Sequence, residues 1–153
     1  MPADFIDTSA LAKHYHPERG SAEVDRLWND SGRGLFVSRL SVLEMSSVFA
    51  GKVRAGVITS ADLAALRRRL AADLTKSKRL TGVRLLVRHY QEADQLLTRH
   101  GLSRRLRTLD ALQIAVALDL HRNVVIDRVV SADRDFLAVA AAEGIGTFDP
   151  ENP

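Results

Sequence analysis

The apolar positions of this chain fall into short runs and longer periodic segments. Residues 80–87 place Gly82 beside the β-branched Thr81 and Val83, which favours a strand or an extended loop. Four further apolar runs, each bounded by polar or turn-forming residues, predict buried strands at residues 5–6, 35–38, 129–130 and 147–148.

Between these runs, apolar residues recur three or four positions apart, which is the spacing of an amphipathic helix. Pro17, Gly56, Gly101 and Gly144 follow four of these segments as stop signals. The predicted helices cover residues 9–16, 21–29, 41–54, a long segment that Ser60 caps, 91–100, 108–120 and 133–143. Strands that alternate with helices predict an α/β fold, in which a parallel sheet is covered on both faces.

The length of 153 residues predicts one domain, spanning residues 1–149, with a short C-terminal tail at 150–153. The chain has no cysteine, so neither a disulfide framework nor a thiolate metal site is expected. Charged residues interrupt the apolar runs well before membrane-spanning length, and no signal peptide is visible. We therefore expect a cytoplasmic protein without membrane contacts.

The net charge of +3 is unevenly distributed, because basic residues are concentrated in the middle of the chain. This pattern fits either a solvated helical face or a surface that attracts phosphate groups. The basic residues of this central region are Arg67, Arg68, Arg69, Lys76, Lys78, Arg79, Arg84, Arg88, Arg99, Arg104, Arg105 and Arg107.

Lone acids interrupt the apolar pattern at four junctions, at Asp7, Glu44, Asp110 and Asp133. The carboxyl ends of parallel strands share one edge of the sheet, so these side chains are expected to meet there. Desolvated carboxylates are costly unless they are paired or bound to a cation. A divalent ion with oxygen ligands would relieve their repulsion, and the absence of cysteine favours magnesium or manganese over zinc.

Each acid also has a purely structural interpretation. Asp7 and Asp133 can cap the helices that follow them. Ser41 and Glu44 have the spacing of a capping box. Asp110 can be a favourable first-turn acid beside the helix dipole. These alternatives remain open at the level of sequence.

Four segments together resemble PIN-domain proteins, particularly VapC-type toxins. Residues 5–11, FIDTSAL, are similar to the opening of that family, and residues 107–115, RTLDALQIA, resemble its third-acid helix. Residues 130–137, VSADRDFL, resemble its fourth-acid segment, and residues 40–44, LSVLE, match its less specific second-acid helix. Gln113 stands where many relatives have histidine, outside the acidic set, and is assigned no role.

The resemblance implies a PIN-like three-layer α/β/α sandwich with a central parallel sheet, and a Mg²⁺- or Mn²⁺-dependent endoribonuclease. Asp7 and Asp110 would then be the principal metal ligands. Glu44 and Asp133 would complete the pocket, directly or through metal-bound water, and Asp135 would substitute for or assist Asp133. By this resemblance, the catalytic set is Asp7, Glu44, Asp110 and Asp133.

Two further residues receive supporting roles from the same resemblance, and a third, Arg107, receives one from its position. Thr8 and Ser131 would orient the ligands by hydrogen bonding, although both can also simply help to start helices. Arg107 precedes Asp110 by one helical turn and would reach the RNA phosphate, unless it forms a surface salt bridge instead.

The family also implies partners. VapC-type toxins cleave RNA, form homodimers and are inhibited by a VapB-like antitoxin. An apolar helix carrying Leu63, Leu66, Leu70 and Leu74 can serve a dimer, an antitoxin or ordinary core packing. Two other functions stay open: a solitary PIN nuclease in RNA processing, and a noncatalytic RNA-binding or scaffold module whose acids only cap helices.

Overall fold

A five-stranded parallel sheet runs through the middle of the protein, with the strands in the order β3-β2-β1-β4-β5. The structure is a computed structural model that describes residues 1–153. The strands occupy the predicted apolar runs, and the ambiguous segment forms the edge strand β3. Their bounds are β1 (Ala3–Ile6), β2 (Gly34–Ser38), β3 (Leu80–Val83), β4 (Arg128–Val130) and β5 (Gly146–Phe148).

The seven helices are divided between two layers, one on each face of the sheet. The first four cover one face and the last three cover the other, so the predicted three-layer sandwich is confirmed. The helices are α1 (Thr8–Tyr15), α2 (Ser21–Asn29), α3 (Arg39–Arg54), α4 (Ser60–Thr75), α5 (Val87–His100), α6 (Thr108–Arg122) and α7 (Arg134–Ala142). None of them has both the length and the apolar character needed to span a bilayer.

The core has two halves because successive side chains of a strand point to opposite faces. Phe5 and Val129 pack with α5, α6 and α7. Ile6 and Val130 pack with α1, α2, α3 and α4. All four side chains are fully buried, which explains why these strands appear in the sequence as continuous apolar runs.

Helix α3 begins at Arg39, two residues before the predicted start at Ser41. The residue that caps it is Ser38, whose hydroxyl accepts a hydrogen bond from the Leu40 amide at 3.0 Å. Because Ser41 lies inside the helix, it cannot form a capping box with Glu44. That structural interpretation of Glu44 is therefore wrong.

Helix α4 is capped by Thr59 rather than by Ser60. The Thr59 hydroxyl accepts from the Asp62 amide at 3.1 Å, and the Asp62 carboxylate accepts from the Thr59 amide at 2.8 Å. An acid three residues after the cap is what this reciprocal arrangement needs, and Ser60 has none at that position.

Helix α5 begins at Val87, four residues before the predicted start at Gln91. Its first turn is held by the buried His89, whose Nδ1 accepts from the Leu86 amide at 2.9 Å and whose Nε2 lies 2.9 Å from the Asp119 carboxylate. A buried polar residue that bonds to a distant helix leaves no mark in apolar periodicity, so the sequence pattern does not predict this first turn.

The strand order reverses between β1 and β4, since the chain first adds strands on one side of β1 and then on the other. In open parallel sheets a crevice forms at the carboxyl ends of the strands at such a point. Asp7 follows β1 and Ser131 follows β4. The ends of these two strands are joined by a hydrogen bond from the Asp7 amide to the Val130 carbonyl, at 3.0 Å.

The residues after β5 lie against α1. Pro150 is buried, and the Glu151 carboxylate lies 2.7 Å from Nζ of Lys13, a lysine that is only 5% exposed. The predicted tail is thus fixed to the body of the protein by a partly buried ion pair.

Candidate active site

Asp7 lies at the junction of β1 and α1, where its side chain is 6% exposed. Its Oδ2 accepts from the Ser9 hydroxyl at 2.7 Å, the Ser131 hydroxyl at 2.9 Å and the Ser9 amide at 3.4 Å. Burial raises the pKa of Asp7 above its ordinary value, and the Glu44 charge adds to this, while these donors and the Thr8 amide lower it. No cationic side chain compensates this carboxylate.

Ser9 and Ser131 tie the two strand ends together. Their hydroxyls lie 3.2 Å apart. Ser9 also accepts from the Ala132 amide at 3.0 Å, and Ser131 accepts from the Asp133 amide at 3.0 Å. Ser131 thus makes the kind of contact predicted for it, whereas Ser9 had been assigned no role.

Glu44 projects from α3 toward α1 and α6. Its Oε1 accepts from the Thr8 hydroxyl at 3.2 Å and from Nε2 of Gln113 at 2.6 Å. Gln113 is only 1% exposed. The structure therefore corrects the dismissal of Gln113, because it donates directly to one of the four acids.

Asp110 is the third residue of α6 and is half-buried. Its Oδ2 accepts from the Arg107 amide at 3.3 Å. The pKa of Asp110 is raised to about 6, chiefly by burial and also by the charges of Asp7 and Asp133, against the lowering effect of Arg107. Asp7, Asp110 and Asp133 are therefore near enough for their charges to interact.

Asp133 caps α7, where its Oδ1 accepts from the amides of Asp135 at 2.9 Å and Phe136 at 3.1 Å. Asp135 lies in the first turn of the same helix, is half-buried, and its side chain makes no hydrogen bond. The helix-end contacts proposed for Asp7, Asp110 and Asp133 all form, and each of them uses only one carboxylate oxygen.

The four acids share one feature, which is that each uses a single carboxylate oxygen for these contacts. The second oxygen of Asp7, Glu44, Asp110 and Asp133 accepts no hydrogen bond. Every fully buried side-chain oxygen in the protein has a partner, so these four free oxygens reach the surface. No three acidic or histidine side chains converge closely enough to hold a metal ion among themselves.

Arg107 precedes α6 beside the pocket and is exposed. Its charge lowers the pKa of Asp110, yet its guanidinium makes no salt bridge. The surface ion pair considered for Arg107 is therefore absent, and its role toward phosphate stays a prediction.

The central basic region divides into structural and free cations. Arg88 pairs with Asp119 at 2.8 Å and Arg99 pairs with Glu143 at 2.9 Å. Arg79 donates to the backbone carbonyls of Leu27, Trp28, Asp30 and Arg33. Arg69 lies 3.0 Å from Nε2 of His14. The remaining cations of this region, which have neither an acidic partner nor such a contact, are Arg67, Arg68, Lys76, Lys78, Arg84, Arg104, Arg105 and Arg107.

Comparison with protein families gives a match to the PIN domain over residues 5–142. The chain belongs to the PIN domain family. The match includes all four acids of the pocket, so the predicted membership is confirmed. Comparison with curated protein sequences gives no match.

Solved structures similar to this PIN domain include the toxin VapC20 of Mycobacterium tuberculosis, described as cleaving the sarcin-ricin loop. It is 20% identical, with a TM-score of 0.66 over 93% of this chain and 95% of that chain. VapBC2 of Rickettsia felis, bound to a promoter DNA fragment, is 14% identical with a TM-score of 0.62 over 96% and 98%. A toxin–antitoxin complex from Klebsiella pneumoniae is 17% identical with a TM-score of 0.61 over 96% and 97%. At these identities the likeness establishes the fold.

Proposed function

We propose that this PIN domain is a metal-dependent endoribonuclease and the toxin of a VapBC-type toxin–antitoxin pair. The observation that carries the proposal is the set of four carboxylates at the strand-order reversal, each with one anchored oxygen and one free oxygen. No lysine or arginine forms an ion pair with any of them. Fixed negative charge without a protein cation is the condition in which a bound cation is most favourable.

The chemistry of the donors fits a hard divalent ion. The free oxygens of all four acids are carboxylate oxygens, which suits Mg²⁺ or Mn²⁺. Asp7 and Asp110 would hold the ion directly, and Glu44 and Asp133 would act directly or through water. Since no three acids converge, the ion would keep several waters, as Mg²⁺ commonly does.

The bound ion would lower the pKa of a coordinated water and neutralise the phosphate, so that in-line hydrolysis leaves a 5′-phosphate and a 3′-hydroxyl. The protein's own part is orientation. Ser9 and Ser131 hold Asp7 in place, and Thr8 holds Glu44. Arg107 would contact the RNA backbone from the rim, and Asp135 would assist Asp133.

The free cations outside the groove described below would add affinity for RNA that depends on salt concentration and carries little sequence information. They include Arg84, Arg104, Arg105 and Arg107. The VapC20 toxin and the Klebsiella toxin–antitoxin complex share the fold, which supports the assignment to a toxin class rather than to a solitary processing nuclease. A homodimer is part of the same proposal.

A groove between α3, α4 and β3 offers a surface for the antitoxin. It has a volume of about 830 Å³ and an apolar floor that includes Phe49, Leu70, Leu74 and Leu80. Its charged lining residues are all basic: Arg39, Arg67, Arg68 and Lys78. Charge complementarity therefore favours an acidic segment with apolar anchors. All four predicted leucines contribute to core packing, since Leu70 is a core residue and Leu63, Leu66 and Leu74 pack against it, and of the four only Leu70 and Leu74 also line the groove.

Cleavage of RNA by the purified protein in Mg²⁺ or Mn²⁺, with sequencing of the new 5′ ends, tests the catalytic proposal. Asparagine caps a helix about as well as aspartate, so Asp7→Asn should stay folded. Loss of a residue that only supports a metal ligand lowers activity by about 10–100-fold, so loss of the ligand itself should lower RNA cleavage by more than about 100-fold. The matched control is Asp94→Asn on the exposed face of α5, which should cleave like the wild type.

Normal cleavage by folded Asp7→Asn contradicts the metal-site assignment. A wild-type protein that binds RNA but cleaves none with either metal favours the noncatalytic module. A small neighbouring gene whose product binds and inhibits this protein separates the toxin from a solitary nuclease.

Charge reversal tests the antitoxin groove. We expect Arg67→Glu with Arg68→Glu to weaken binding of the coexpressed antitoxin while RNA cleavage by the free protein is unchanged. Lys76→Glu, at the C-cap of α4 and outside the groove, is the control for antitoxin binding. If the double substitution instead reduces cleavage and leaves antitoxin binding intact, the groove holds RNA.

A further inference from the structure

A sealed polar cluster lies behind Glu44, where α1, α3 and α6 meet. Its members are Thr8, which is 7% exposed, Ser41, which is fully buried, and Gln113, which is 1% exposed. Such a cluster inside an otherwise apolar interface is stable only if its hydrogen bonds are satisfied. Every one of its polar side-chain atoms has a partner.

Gln113 is at the centre of this cluster. Its Nε2 lies 2.6 Å from Oε1 of Glu44, 2.9 Å from Oγ of Ser41 and 3.1 Å from Oγ1 of Thr8. Its Oε1 lies 3.2 Å from Oγ of Ser41. The Thr8 hydroxyl lies 3.1 Å from Ser41 and 3.2 Å from Oε1 of Glu44. The contact to Glu44 is the shortest of the six.

The supply of hydrogens fixes the direction of the amide. Its –NH₂ group has two hydrogens, and each hydroxyl has one. If the Gln113 amide were turned over, its carbonyl oxygen would face the Glu44 carboxylate with no hydrogen between them. With the amide as it stands, Gln113 and Thr8 both donate to Oε1 of Glu44, and Ser41 can donate to Gln113.

The consequence for Glu44 is directional. Both donors hold the same oxygen, Oε1, and leave Oε2 without a protein partner and open to the surface. The Glu44 side chain has three rotatable bonds. Without these two donors, its carboxylate would therefore adopt several orientations. Gln113 supplies the shorter of its two anchoring contacts.

We propose that Gln113 is a positioning residue, which holds Glu44 by one oxygen so that the other faces the acidic pocket as a ligand. This inference rests on the proposed metal-dependent nuclease function. Gln113 itself touches neither metal nor RNA, and it acts through Glu44.

Gln113→Met tests the proposal, because methionine keeps the length of the side chain and removes both donors. We expect Mn²⁺ binding, measured by isothermal titration calorimetry, to weaken by about 10–100-fold. Cleavage at low metal concentration should fall similarly and recover in part at high metal concentration. Gln95→Met on the exposed side of α5 is the control.

A second variant guards against a failure to fold. Gln113→Asn keeps the amide near Ser41 and falls one methylene short of Glu44, so it should lose Mn²⁺ affinity like Gln113→Met. A double-mutant cycle then separates positioning from general packing. In a Glu44→Gln background, Gln113→Met should cause no further loss of Mn²⁺ affinity.

The outcomes are distinguishable. If the wild-type protein neither binds Mn²⁺ nor cleaves RNA, the proposed function fails. If it does both and the folded Gln113 variants match it, the positioning role is overturned. An undiminished effect of Gln113→Met in the Glu44→Gln background also overturns it, since the residue would then act independently of Glu44.

Discussion

Two aspartates at opposite ends of strand β1 are buried in opposite ways. Asp4 is fully buried, and its carboxylate lies 2.8 Å from a guanidinium nitrogen of Arg33 and 2.7 Å from Nε of Arg128. Asp7, three residues later, is also buried, but it meets serine hydroxyls and an amide. One carboxylate has two cations of the protein beside it, and the other has none.

This difference separates an acid with a structural role, Asp4, from the acid that our proposal assigns to metal binding, Asp7. A buried charge is tolerable when it is paired, and the arginines make Asp4 part of the folded framework. Around Asp7 the nearby charges are those of Glu44 and Asp110, which are also negative. Their repulsion persists in the folded protein, and the proposed cation site at the carboxyl edge of the sheet would relieve it.

The largest effect expected from this comparison is on stability. Asp4→Asn should lower the free energy of unfolding by about 2–3 kcal/mol, somewhat less than for a fully buried pair, because both arginines keep partial exposure. Asp7→Asn should leave the stability unchanged or raise it, since it removes a repelled charge and keeps the cap. Urea denaturation with a chelator present measures both, and equal losses for the two variants would break the distinction.

The next effect is on the pH dependence of stability. The pKa of Asp110 is about 6 in the folded protein and 3.8 ordinarily, so the folded state binds more protons between these values. Its contribution is present below about pH 3.8 and is lost as the pH rises through 6. The raised pKa of Asp7 acts with the same sign. The full shift in the pKa of Asp110 corresponds to about 3 kcal/mol in the free energy of unfolding. Partial solvent exposure of this side chain reduces the expected contribution to about 1–2 kcal/mol.

The pKa of His14 is lowered, chiefly by burial, and its effect in part of this range has the opposite sign. The difference between wild type and Asp110→Asn isolates the aspartate. In metal-free buffer, the wild type should lose about 1–2 kcal/mol relative to the variant between pH 4.5 and 7.5. Asp94→Asn should run parallel to the wild type. Parallel curves for Asp110→Asn and the wild type would show that the pKa of Asp110 is not raised in the folded protein.

A smaller effect separates capping from the pocket at α7. Asp133→Ala should cost about 1 kcal/mol through loss of the cap, whereas Asp133→Asn should cost almost nothing and still reduce cleavage. Asp135→Asn should change stability by less than about 0.5 kcal/mol, because its side chain makes no hydrogen bond. Thermal unfolding and RNA cleavage of the three variants test this, and equal cleavage by Asp133→Asn and wild type would remove Asp133 from the pocket.

Much of the fold follows from local patterns. The runs containing Phe5–Ile6 and Val129–Val130 are apolar because both faces of the sheet are covered, and their alternation with helices predicts parallel strands. The four acids stand out because each interrupts such a pattern at a junction. Their common edge follows from the parallel direction of the strands, before any contact is known.

The contacts that distinguish these acids do not follow from local patterns. Arg33 and Arg128 reach Asp4 from 29 and 124 positions away along the chain. Gln113 reaches Glu44 across 69 positions. Partner choice at such separations depends on packing between elements, and a glutamine among apolar residues looks the same in the sequence whether or not it has a partner.

The most direct measurement is Mn²⁺ binding by the metal-free protein at pH 7.5, monitored by the loss of the free-ion signal in electron paramagnetic resonance. We expect the wild type and folded Asp4→Asn to bind alike, and Asp7→Asn to bind at least about tenfold more weakly. Binding by Asp7→Asn that equals that of the wild type, or no binding by the wild type, would contradict a cation site built from uncompensated carboxylates.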